Sequence, residues 1–561
     1  MGNKIISLTN KIWNIQSEVV ACNGKSAVDI LARNRNIENL ESFVGISMRN
    51  TIPDPFIFVD MERAVIRIIS AIKNGQKIVI LGDYDVDGIS SVSIFMRFFK
   101  YIGVECAYSI PSRTDDGYGL SITAINKHKE YLIIAVDCGS SSLEELKYAK
   151  DNNIDIVVID HHKMSAIFED TIIVNPHRPD ESGEYKYLCA TGLVFMCIVG
   201  INRNLKELNF YKSCREPNIV DYLDLVALAT VCDVVELKEL NRAFVLTGIK
   251  VIRQRKNLGI DALLSLQKKP EISSETIAFI LGPKLNASGR MALADISVHL
   301  LTTENPIEAK EIANQLDSLN KKRQILEREM TEEADSFVKE DQNFICAYNP
   351  DWHIGVIGII AGRLKEKYNR PSIIISTDSN GVGKASCRST EKVDISAVIK
   401  RGVEQGVIIS GGGHALAGGF SVETSKIDNL LEFLKSDITN KPDLPELYAD
   451  CKVQLEFVST DFVKQISTLE PFGMGNRYPK FIIPNVKIVG TKVVGENHLS
   501  FSIVGEKGNS MRAISFRSLN TPLGEILLSE TSSVNVLGTL VISSWNGQVN
   551  LQLEDIGQAS A

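Results

Sequence analysis

Three short apolar runs in the first third of the chain each end in acidic or histidine residues, and this feature restricts the possible folds most. The runs lie within residues 77–88, 131–137 and 154–162. They are rich in Val and Ile and are separated by helix-like stretches, which is typical of buried parallel strands in an α/β sheet. Ligands of such sheets gather at the carboxyl ends of the strands. The sequence therefore predicts that these polar residues meet at one edge of the sheet.

The predicted strand ends hold five aspartates and two histidines, namely Asp83, Asp85, Asp87, Asp137, Asp160, His161 and His162. So many like charges converge only around something positive. Carboxylates and imidazoles without thiolates favour hard or borderline divalent ions, Mg²⁺ or Mn²⁺ first. A further aspartate, Asp233, follows a predicted helix over 219–231, where a carboxylate without a cation is unfavourable. We therefore predict a metal site that holds two ions.

Two known motifs begin in a similar way to residues 83–88. A calcium EF-hand loop needs glutamate at its twelfth position, which is Ile94 here, so that alternative fails. Phosphatases of the haloacid-dehalogenase type usually have threonine where Ile89 stands, which weakens that alternative without excluding it. The tripeptide 160–162 alone would fit a turn or a cap as well as a metal site. Its place after a strand, beside two other acidic strand ends, favours the metal.

Composition excludes several classes of protein. The 561 residues are too many for one core and predict three or four domains. No apolar stretch has the length of a membrane span and the first residues lack the apolar core of a signal peptide, so we expect a cytoplasmic protein. The ten cysteines form no CxxC pair, which disfavours zinc ribbons and disulfide frameworks. The net charge of −8 means that any polyanion must bind through local basic patches.

The pattern along the chain predicts an α/β protein with several units. Strand and helix patterns alternate in a way that predicts a doubly wound parallel sheet, then a long helix leads to a second α/β unit, and short strands with glycine and asparagine turns predict a small β-barrel. The first residues predict only irregular to helical structure. The predicted boundaries are 1–45 for the N-terminal segment, 46–305 for the first α/β domain, 306–341 for the helix, 342–440 for the second unit and 446–561 for the barrel.

Several ordered blocks resemble the DHH phosphoesterase superfamily and, within it, the RecJ family of bacterial single-strand-specific exonucleases. The resemblance extends from about residue 45 to the C-terminus. It implies a DHH catalytic domain, a DHHA1-type second domain and an OB-fold barrel. The blocks are 83–88, 111–119, Asp137, 160–162, Asp233, 285–291, 319–323, 386–389, 411–414 and 469–476.

The resemblance implies roles for the acidic and histidine residues. It makes Asp85, Asp87, Asp137, His161 and Asp233 the ligands of two Mn²⁺ or Mg²⁺ ions, with Asp137 and Asp233 as candidates to bridge them. Asp83 and His162 would be catalytic residues beside the ions. The acidic pattern of the family is complete in this sequence, so an inactive relative is not indicated.

The resemblance also implies a set of substrate-binding residues. We expect Arg290 in a tight loop after small residues, where it and the backbone would cradle phosphate; a plain surface arginine is the alternative. Basic residues of the connecting helix either line a channel for one strand or form a solvated face. The full expected set is Arg113, Tyr118, Ser288, Arg290, Arg323, Ser386, Arg388, Gly412 and His414, of which Arg113, Tyr118, Ser386 and Arg388 would hold a terminal 5′-phosphate.

The function that the resemblance implies is metal-dependent 5′→3′ hydrolysis of single-stranded DNA to 5′-mononucleotides, in recombination and repair. A hydrolase of small substrates such as pyrophosphate or dinucleotides is the first alternative, although the barrel and the long helix count against it. A non-catalytic nucleic-acid scaffold is the second, although a complete ligand set counts against it. Single-strand-binding protein and a RecQ-like helicase are expected partners from the family alone, and a monomer is expected.

Overall fold

The first residues form strands that belong to the far end of the chain. The computed structural model describes residues 4–111, 119–164, 166–168, 170–212, 214–268, 271–378, 381–529, 533–543 and 546–559. It begins with β1 (Lys4–Ile6), β2 (Ile12–Ile15), β3 (Val20–Ala21), α1 (Gly24–Asn34), α2 (Leu40–Val44) and α3 (Met48–Thr51). The fully buried Trp13 on β2 donates from its indole Nε1 to Asp555 Oδ2 at 2.7 Å. The sequence predicted irregular to helical structure here and missed the three strands.

The first α/β domain contains a five-stranded sheet in the order β5-β4-β6-β7-β8, and all of its strands are parallel. Its elements are α4 (Met61–Asn74), β4 (Ile78–Leu81), α5 (Val86–Tyr101), β5 (Cys106–Ser109), α6 (Ile122–Lys127), β6 (Leu132–Val136), α7 (Leu143–Asp151), β7 (Ile156–Ile159), β8 (Ile172–Val174), α8 (Ala190–Glu207), α9 (Leu223–Cys232), α10 (Glu239–Arg253), α11 (Leu258–Ser265), α12 (Ser274–Thr276), α13 (Gly282–Met291) and α14 (Asp295–Thr302).

This sheet is covered on both faces, as the continuous apolar runs predicted. Ile78 and Ile80 of β4 belong to one hydrophobic core, whereas Val79 and Leu81 belong to another on the opposite face. The strand order reverses between β4 and β6, which is where a doubly wound sheet opens a crevice at its carboxyl edge. The acidic loops therefore meet at the place that the fold favours for ligands.

A 30-residue helix, α15 (Pro306–Asp335), connects the two α/β units. Its N-cap is Asn305, whose side chain accepts hydrogen bonds from two backbone N–H groups of the first turn. Apolar residues at helical spacing, among them Ile312 and Leu316, bury one side of it. The helix ends at Asp335, six residues before the predicted boundary at 341, because the chain turns toward the next strand.

The second unit has a five-stranded sheet in the order β12-β13-β11-β10-β9, in which only β9 and β10 are parallel. Its elements are β9 (Ile345–Asn349), α16 (Ile354–Tyr368), β10 (Ser372–Thr377), β11 (Val382–Arg388), α17 (Ile395–Glu404), β12 (Ser410–His414), β13 (Ala417–Glu423) and α18 (Ile427–Asp437). Strand β12 lies at the edge of the sheet and is exposed along its whole length.

The C-terminal region is a closed barrel in which β16 pairs with both β17 and β19, as predicted. Strands β2 and β3 extend the two sheets of this region by pairing with β14 and β15. None of the helices in the described ranges is long and apolar enough to cross a membrane. The elements are β14 (Glu446–Ala449), β15 (Cys451–Val453), α19 (Thr460–Ile466), β16 (Phe481–Val494), β17 (His498–Val504), β18 (Ser510–Ser515), α20 (Pro522–Leu528), β19 (Val534–Ile542) and β20 (Val549–Gln558).

The loop at 469–476, one of the blocks of the family resemblance, is a contact between domains. The guanidinium of the buried Arg242 donates to the backbone oxygens of Leu469 and Glu470, at 3.0 Å and 2.6 Å. Ser274 Oγ donates to the backbone oxygen of Phe472 at 2.8 Å. This loop therefore fastens the barrel to the first α/β domain.

Candidate metal centre

The carboxyl ends of β4, β6 and β7, together with the C-terminal end of α9, bring together all seven residues that the sequence assigned to metal binding and catalysis. Their side-chain ligand atoms form three overlapping groups, and within each group the atoms lie no more than 4.8 Å apart. The groups are Asp83, Asp85 and Asp137; Asp87, His161 and Asp233; and Asp137, His161 and His162. Asp137 and His161 each belong to two groups, so they lie at the centre of the cluster.

The first acidic loop is shaped by the start of α5. Asp85 is the N-cap of this helix, and its Oδ1 accepts hydrogen bonds from the backbone N–H groups of Asp87 and Gly88, at 2.9 Å and 3.2 Å. A Cβ atom on Gly88 would lie 2.4 Å from the backbone oxygen of Asp83. Glycine is therefore required for the turn that holds Asp83 and Asp85 side by side.

Asp87 is held by the N-terminus of α8. The backbone N–H groups of Ala190 and Thr191 donate to its two carboxylate oxygens at 2.7 Å and 2.8 Å, and Thr191 Oγ1 donates at 2.5 Å. The positive end of the helix dipole also favours an ionised carboxylate here. Nothing in the pattern around Thr191 marked it as functional, because this contact joins residues about a hundred positions apart.

Asp160 orients the two histidines that follow it. Its Oδ1 accepts hydrogen bonds from His161 N at 2.7 Å and from His162 Nδ1 at 2.8 Å, and its Oδ2 accepts one from Ser140 N at 3.0 Å. Burial is the largest influence and would raise the pKa of Asp160, but the hydrogen bond and charge of His162, the charge of His161 and the hydrogen bond from Ser140 together outweigh burial and hold this pKa below its usual range. The same pair raises the pKa of His162 to about 9 against the effect of burial. Asp160 therefore fixes the orientation of the His162 ring within the cluster.

Two backbone positions at the cluster have unusual conformations. Asp137 has φ +59°, and Val234, directly after Asp233, has φ +58°. A β-branched residue in the left-handed region is strained, and Val234 is also 62% exposed. Such conformations persist where the surrounding structure enforces them, and here both occur at or beside a proposed ligand.

The buried carboxylates of the cluster repel one another, which favours a bound cation. Burial first, and then the charges of Asp87 and Asp85, raise the pKa of Asp137 well above its usual value and that of Asp233 to about 9. Asp137 Oδ1 and Asp233 Oδ2 are buried, and no donor in the described ranges bonds to them. Repelling carboxylates with unfilled acceptor atoms match the oxygen-rich coordination of Mg²⁺ and Mn²⁺. The residues present therefore fit the predicted ions.

The block 285–291 is helical, so the prediction of a tight loop around Arg290 is wrong. Its small residues let α13 approach the first acidic loop, where a Cβ on Gly289 would lie 2.5 Å from the backbone oxygen of Tyr84. Ser288 is fully buried, and its Oγ donates to Leu285 O at 2.8 Å. Its hydroxyl therefore supports the helix, and the predicted substrate contact of Ser288 stays a prediction.

Helix α16 brings residues of both α/β units together. Arg290 Nη1 donates to Gly355 O at 3.2 Å. A Cβ on Gly358, one turn further along, would lie 3.0 Å from Ser386 Oγ and 3.6 Å from Arg388 Nη2. Three of the predicted phosphate-binding residues thus lie against one helix, and one of them, Arg290, directly follows Gly289, which packs on the first acidic loop.

The remaining predicted substrate residues are more scattered. Gly412 and His414 lie on the exposed edge strand β12. Arg323 lies on α15 beside Glu327. Arg113 and Tyr118 lie outside the described residues, so their predicted contact with a 5′-phosphate stays a prediction.

Three family models match the chain in order: the DHH family N-terminal domain over 77–230, the DHHA1 domain over 341–440 and the RecJ OB domain over 449–555. The single-stranded-DNA-specific exonuclease RecJ of Haemophilus influenzae is 32% identical over 551 residues, which are 94% of this chain and 95% of that protein. The chain belongs to the RecJ family. The RecJ of Bacillus subtilis is 30% identical over 516 residues, and this chain covers 63% of its length.

Solved structures of RecJ proteins show the same fold. The RecJ of Thermus thermophilus in complex with Mn²⁺ has a TM-score of 0.81 at 23% identity, with 98% of this chain and 80% of that chain covered. A manganese-bound exonuclease RecJ has a TM-score of 0.61 at 26% identity, with 70% of this chain and 96% of that chain covered. The Thermus thermophilus protein has also been solved with Mg²⁺. Both predicted metals therefore occur in structures of this family.

Proposed function

We propose that this RecJ-family protein is a metal-dependent exonuclease that hydrolyses single-stranded DNA from the 5′ end and releases 5′-mononucleotides. The observation that carries the proposal is the convergence of carboxylates from three strand ends, with two buried oxygens to which no described donor bonds. The proposed ligands are Asp85, Asp87, Asp137, His161 and Asp233. Asp137 and Asp233 are the proposed bridging ligands, since their buried oxygens have acceptor capacity left.

The side chains of this protein would contribute by positioning the scissile phosphate and by offsetting its negative charge. Two bound divalent ions would supply an acidified water and neutralise charge on the scissile phosphate. His162, whose ring Asp160 fixes, would donate to a non-bridging phosphate oxygen, and Asp83, which lies in the same cluster, would act beside the ions as a catalytic residue. Arg290 offsets negative charge that develops in the transition state.

The 5′ polarity would follow from a phosphate-holding surface beside the metal centre. Ser386 and Arg388 lie against Gly358, and Arg290 lies against Gly355, so α16 joins these side chains in one row. A guanidinium and a hydroxyl in this arrangement suit a terminal phosphate. On the family resemblance, Arg113 and Tyr118 would contact the same phosphate. Gly412 and His414 of β12 would contact the sugar–phosphate backbone.

We further propose how the protein selects single strands, in which processes it acts and with which partners. A cleft that accepts one strand excludes a duplex, and the barrel would extend the contact along the strand. The proposed roles are in DNA recombination and repair in the cytoplasm, as a monomer. Single-strand-binding protein and a RecQ-like helicase are the proposed partners, on the family resemblance alone.

The test is digestion of one oligonucleotide carrying a label at either its 5′ or its 3′ end, in Mn²⁺ or EDTA, beside a duplex and pyrophosphate. We expect immediate release of the 5′ label from the single strand in Mn²⁺ only, with the duplex intact. Immediate release of the 3′ label would refute the polarity. Inert DNA with hydrolysed pyrophosphate or dinucleotide would place the protein among small-substrate hydrolases.

A further inference from the structure

Phe279 is a large apolar side chain that the fold holds in water. It lies in the π-helical turn Ile277–Leu281, which connects α12 to α13, and it is 71% exposed. Ile277 and Leu281, at the two ends of the turn, are fully buried, so the turn directs Phe279 away from the core. Such π-helical turns are rare and frequently occur at functional sites. Because covering an exposed phenylalanine lowers the free energy, this side chain is a candidate for contact with a ligand.

The π-helical turn packs on the segment that carries a proposed metal ligand. The Sγ atom of Cys232, at the end of α9, lies 3.9 Å from the backbone oxygen of Ile277. A Cβ on Gly282, the first residue of α13, would lie 2.5 Å from the same sulfur. Asp233 is the residue after Cys232. Phe279 therefore stands on a turn that touches the edge of the proposed metal centre.

Two more exposed apolar side chains flank the same segment. Val234 is 62% exposed, and its φ of +58° lies in the left-handed region. Met474 is 48% exposed, and its backbone oxygen accepts a hydrogen bond from Leu237 N at 2.8 Å. Segment 232–237 thus lies between the π-helical turn and the loop that holds Met474. We call Val234, Phe279 and Met474 the apolar rim, since several exposed apolar side chains in one place mark a binding surface where a single one does not.

Carboxylates flank the apolar rim and restrict which part of a DNA strand can cover it. Glu275, one helical turn before Phe279, is exposed. Partial burial first, and then the charge of Glu271, raise the pKa of Glu275. The cation nearest in sequence to segment 232–237, Lys238, is engaged by Glu236 at 2.6 Å. Because carboxylates repel phosphate, a strand would present its bases to the apolar rim and its phosphates to the ions.

Helix α13 lies between the apolar rim and the surface proposed to hold the 5′ end. Arg290, near the C-terminal end of α13, donates to Gly355 O on α16, against which the proposed phosphate-holding residues lie. Phe279 precedes the other end of α13, and the 10 residues of this helix span about 15 Å. A strand whose 5′-phosphate is held at α16 would therefore reach the apolar rim downstream of its scissile phosphate.

We infer that the Phe279 ring stacks on one base of the DNA downstream of the scissile phosphate, with Val234 and Met474 beside it. Every base has a π face, so this contact holds the strand without a sequence preference. A base inside a duplex is already stacked and paired, so the same contact disfavours duplex DNA. The inference rests on the proposed single-strand exonuclease function. It adds a contact to a base, whereas the residues assigned to substrate binding contact phosphate or sugar.

Oligonucleotides in which one base at a time is missing test this contact. Initial rates of release of the first nucleotide in Mn²⁺ give kcat and KM for 5′-phosphorylated strands that carry one abasic site at each downstream position in turn. For the wild-type protein we expect KM to rise on the order of tenfold at one position, as for the loss of one base–aromatic stack. Phe279→Ala should raise KM on unmodified DNA by a similar factor and show no further rise at that position.

Three more variants separate stacking from a structural role. Phe279→Trp, which keeps an aromatic face, should retain the positional effect, and Phe279→Leu, which is apolar without a ring, should lose most of it. Tyr101→Ala is the matched control, because Tyr101 is a 47% exposed aromatic residue at the end of α5, about 24 Å along that helix from the metal centre. It should leave KM and the positional effect unchanged. The melting temperature of Phe279→Ala should equal that of the wild-type protein, since the ring is exposed.

The outcomes distinguish this inference from the proposed function. If the wild-type protein cleaves single-stranded DNA but no missing base raises KM, the stacking contact is wrong and the exonuclease stands. The contact is also wrong if Phe279→Ala has the KM of the wild-type protein on every strand, which would leave the apolar rim to a protein partner. A fall in kcat and in melting temperature on every substrate would make Phe279 a structural residue. A wild-type protein that does not cleave single-stranded DNA at all would refute the function itself.

Discussion

The proposed metal centre and the proposed DNA-binding surface on β12 of the second unit differ in their burial and in the groups that they offer. Asp83 and Asp137 are 2% exposed, and backbone N–H groups fix the neighbouring carboxylates before any ligand arrives. Strand β12, which contains Gly412, is exposed throughout, and apart from the side chains of Ser410 and His414 it offers only backbone groups. The rigid, charged centre is suited to chemistry and the open surface to a substrate of variable sequence. Substitutions in the two regions should therefore impair different properties, namely the rate of hydrolysis and the substrate affinity.

The largest effect is expected from His161→Ala. His161 belongs to two of the three ligand groups, and its Nε2 lies 3.4 Å from Asp137 Oδ1. We expect hydrolysis to fall by at least about 1000-fold, because a lost ligand removes most of the charge stabilisation that the ions provide. The melting temperature in EDTA should not fall. Asp85→Ala should also abolish hydrolysis. Activity near the wild-type level in either variant would refute the assignment of that residue as a metal ligand.

A smaller loss is expected from Asp160→Asn, which changes the group behind the histidines. The amide cannot hold the His162 ring as a charged partner, so the imidazole loses its fixed orientation. Groups that orient metal ligands are typically worth about 10- to 100-fold in activity or metal affinity. Hydrolysis rates at saturating Mn²⁺ measure the activity, and rates at limiting Mn²⁺ measure the metal affinity. A loss as large as that of His161→Ala would mean that Asp160 is itself a ligand.

Substitutions on the open surface should change the substrate affinity rather than the turnover rate. Arg388→Gln is expected to raise KM about tenfold on 5′-phosphorylated DNA, since it removes a charged hydrogen bond to the terminal phosphate. The same variant should differ little from the wild-type protein on DNA with a 5′-hydroxyl. A fall in kcat with unchanged KM would show that the two regions are not separate in function.

The smallest expected effect is on stability as a function of pH. The pKa of Asp233 is about 9 in the folded, metal-free protein against an ordinary value of 3.8, so the folded state binds more protons between these limits. The free energy of unfolding must then fall as pH rises through this window. We expect the melting temperature in EDTA to drop by roughly 5 °C between about pH 5 and pH 9. Asp233→Asn should flatten the curve, and an unchanged slope in that variant would contradict the assignment.

The sequence predicted the metal centre better than the surface around it, for physical reasons. Buried parallel strands impose a strong apolar pattern, so Asp83, Asp137 and Asp160 were recognisable as strand ends. Helix α13 was predicted as a loop because the residues at 286–289 are turn-like. Their small size is explained only by the packing of α13 against Tyr84, a contact that local sequence does not encode.

The N-terminal strands were missed for a related reason. Strands β2 and β3 have four and two residues, too few to show an alternating pattern. They are stabilised by pairing with β14 and β15, which lie near the other end of the chain. The buried pair of Trp13 and Asp555 fixes this arrangement, and neither residue indicates the other in the sequence.

If the acidic strand ends form a two-ion hydrolytic centre, anomalous diffraction at the manganese edge from crystals soaked in Mn²⁺ should locate both ions. We predict two peaks roughly 4 Å apart, with Asp137 between them and His161 and Asp233 as neighbours. A single ion in another place, or no ion within reach of Asp137, would refute the two-ion centre.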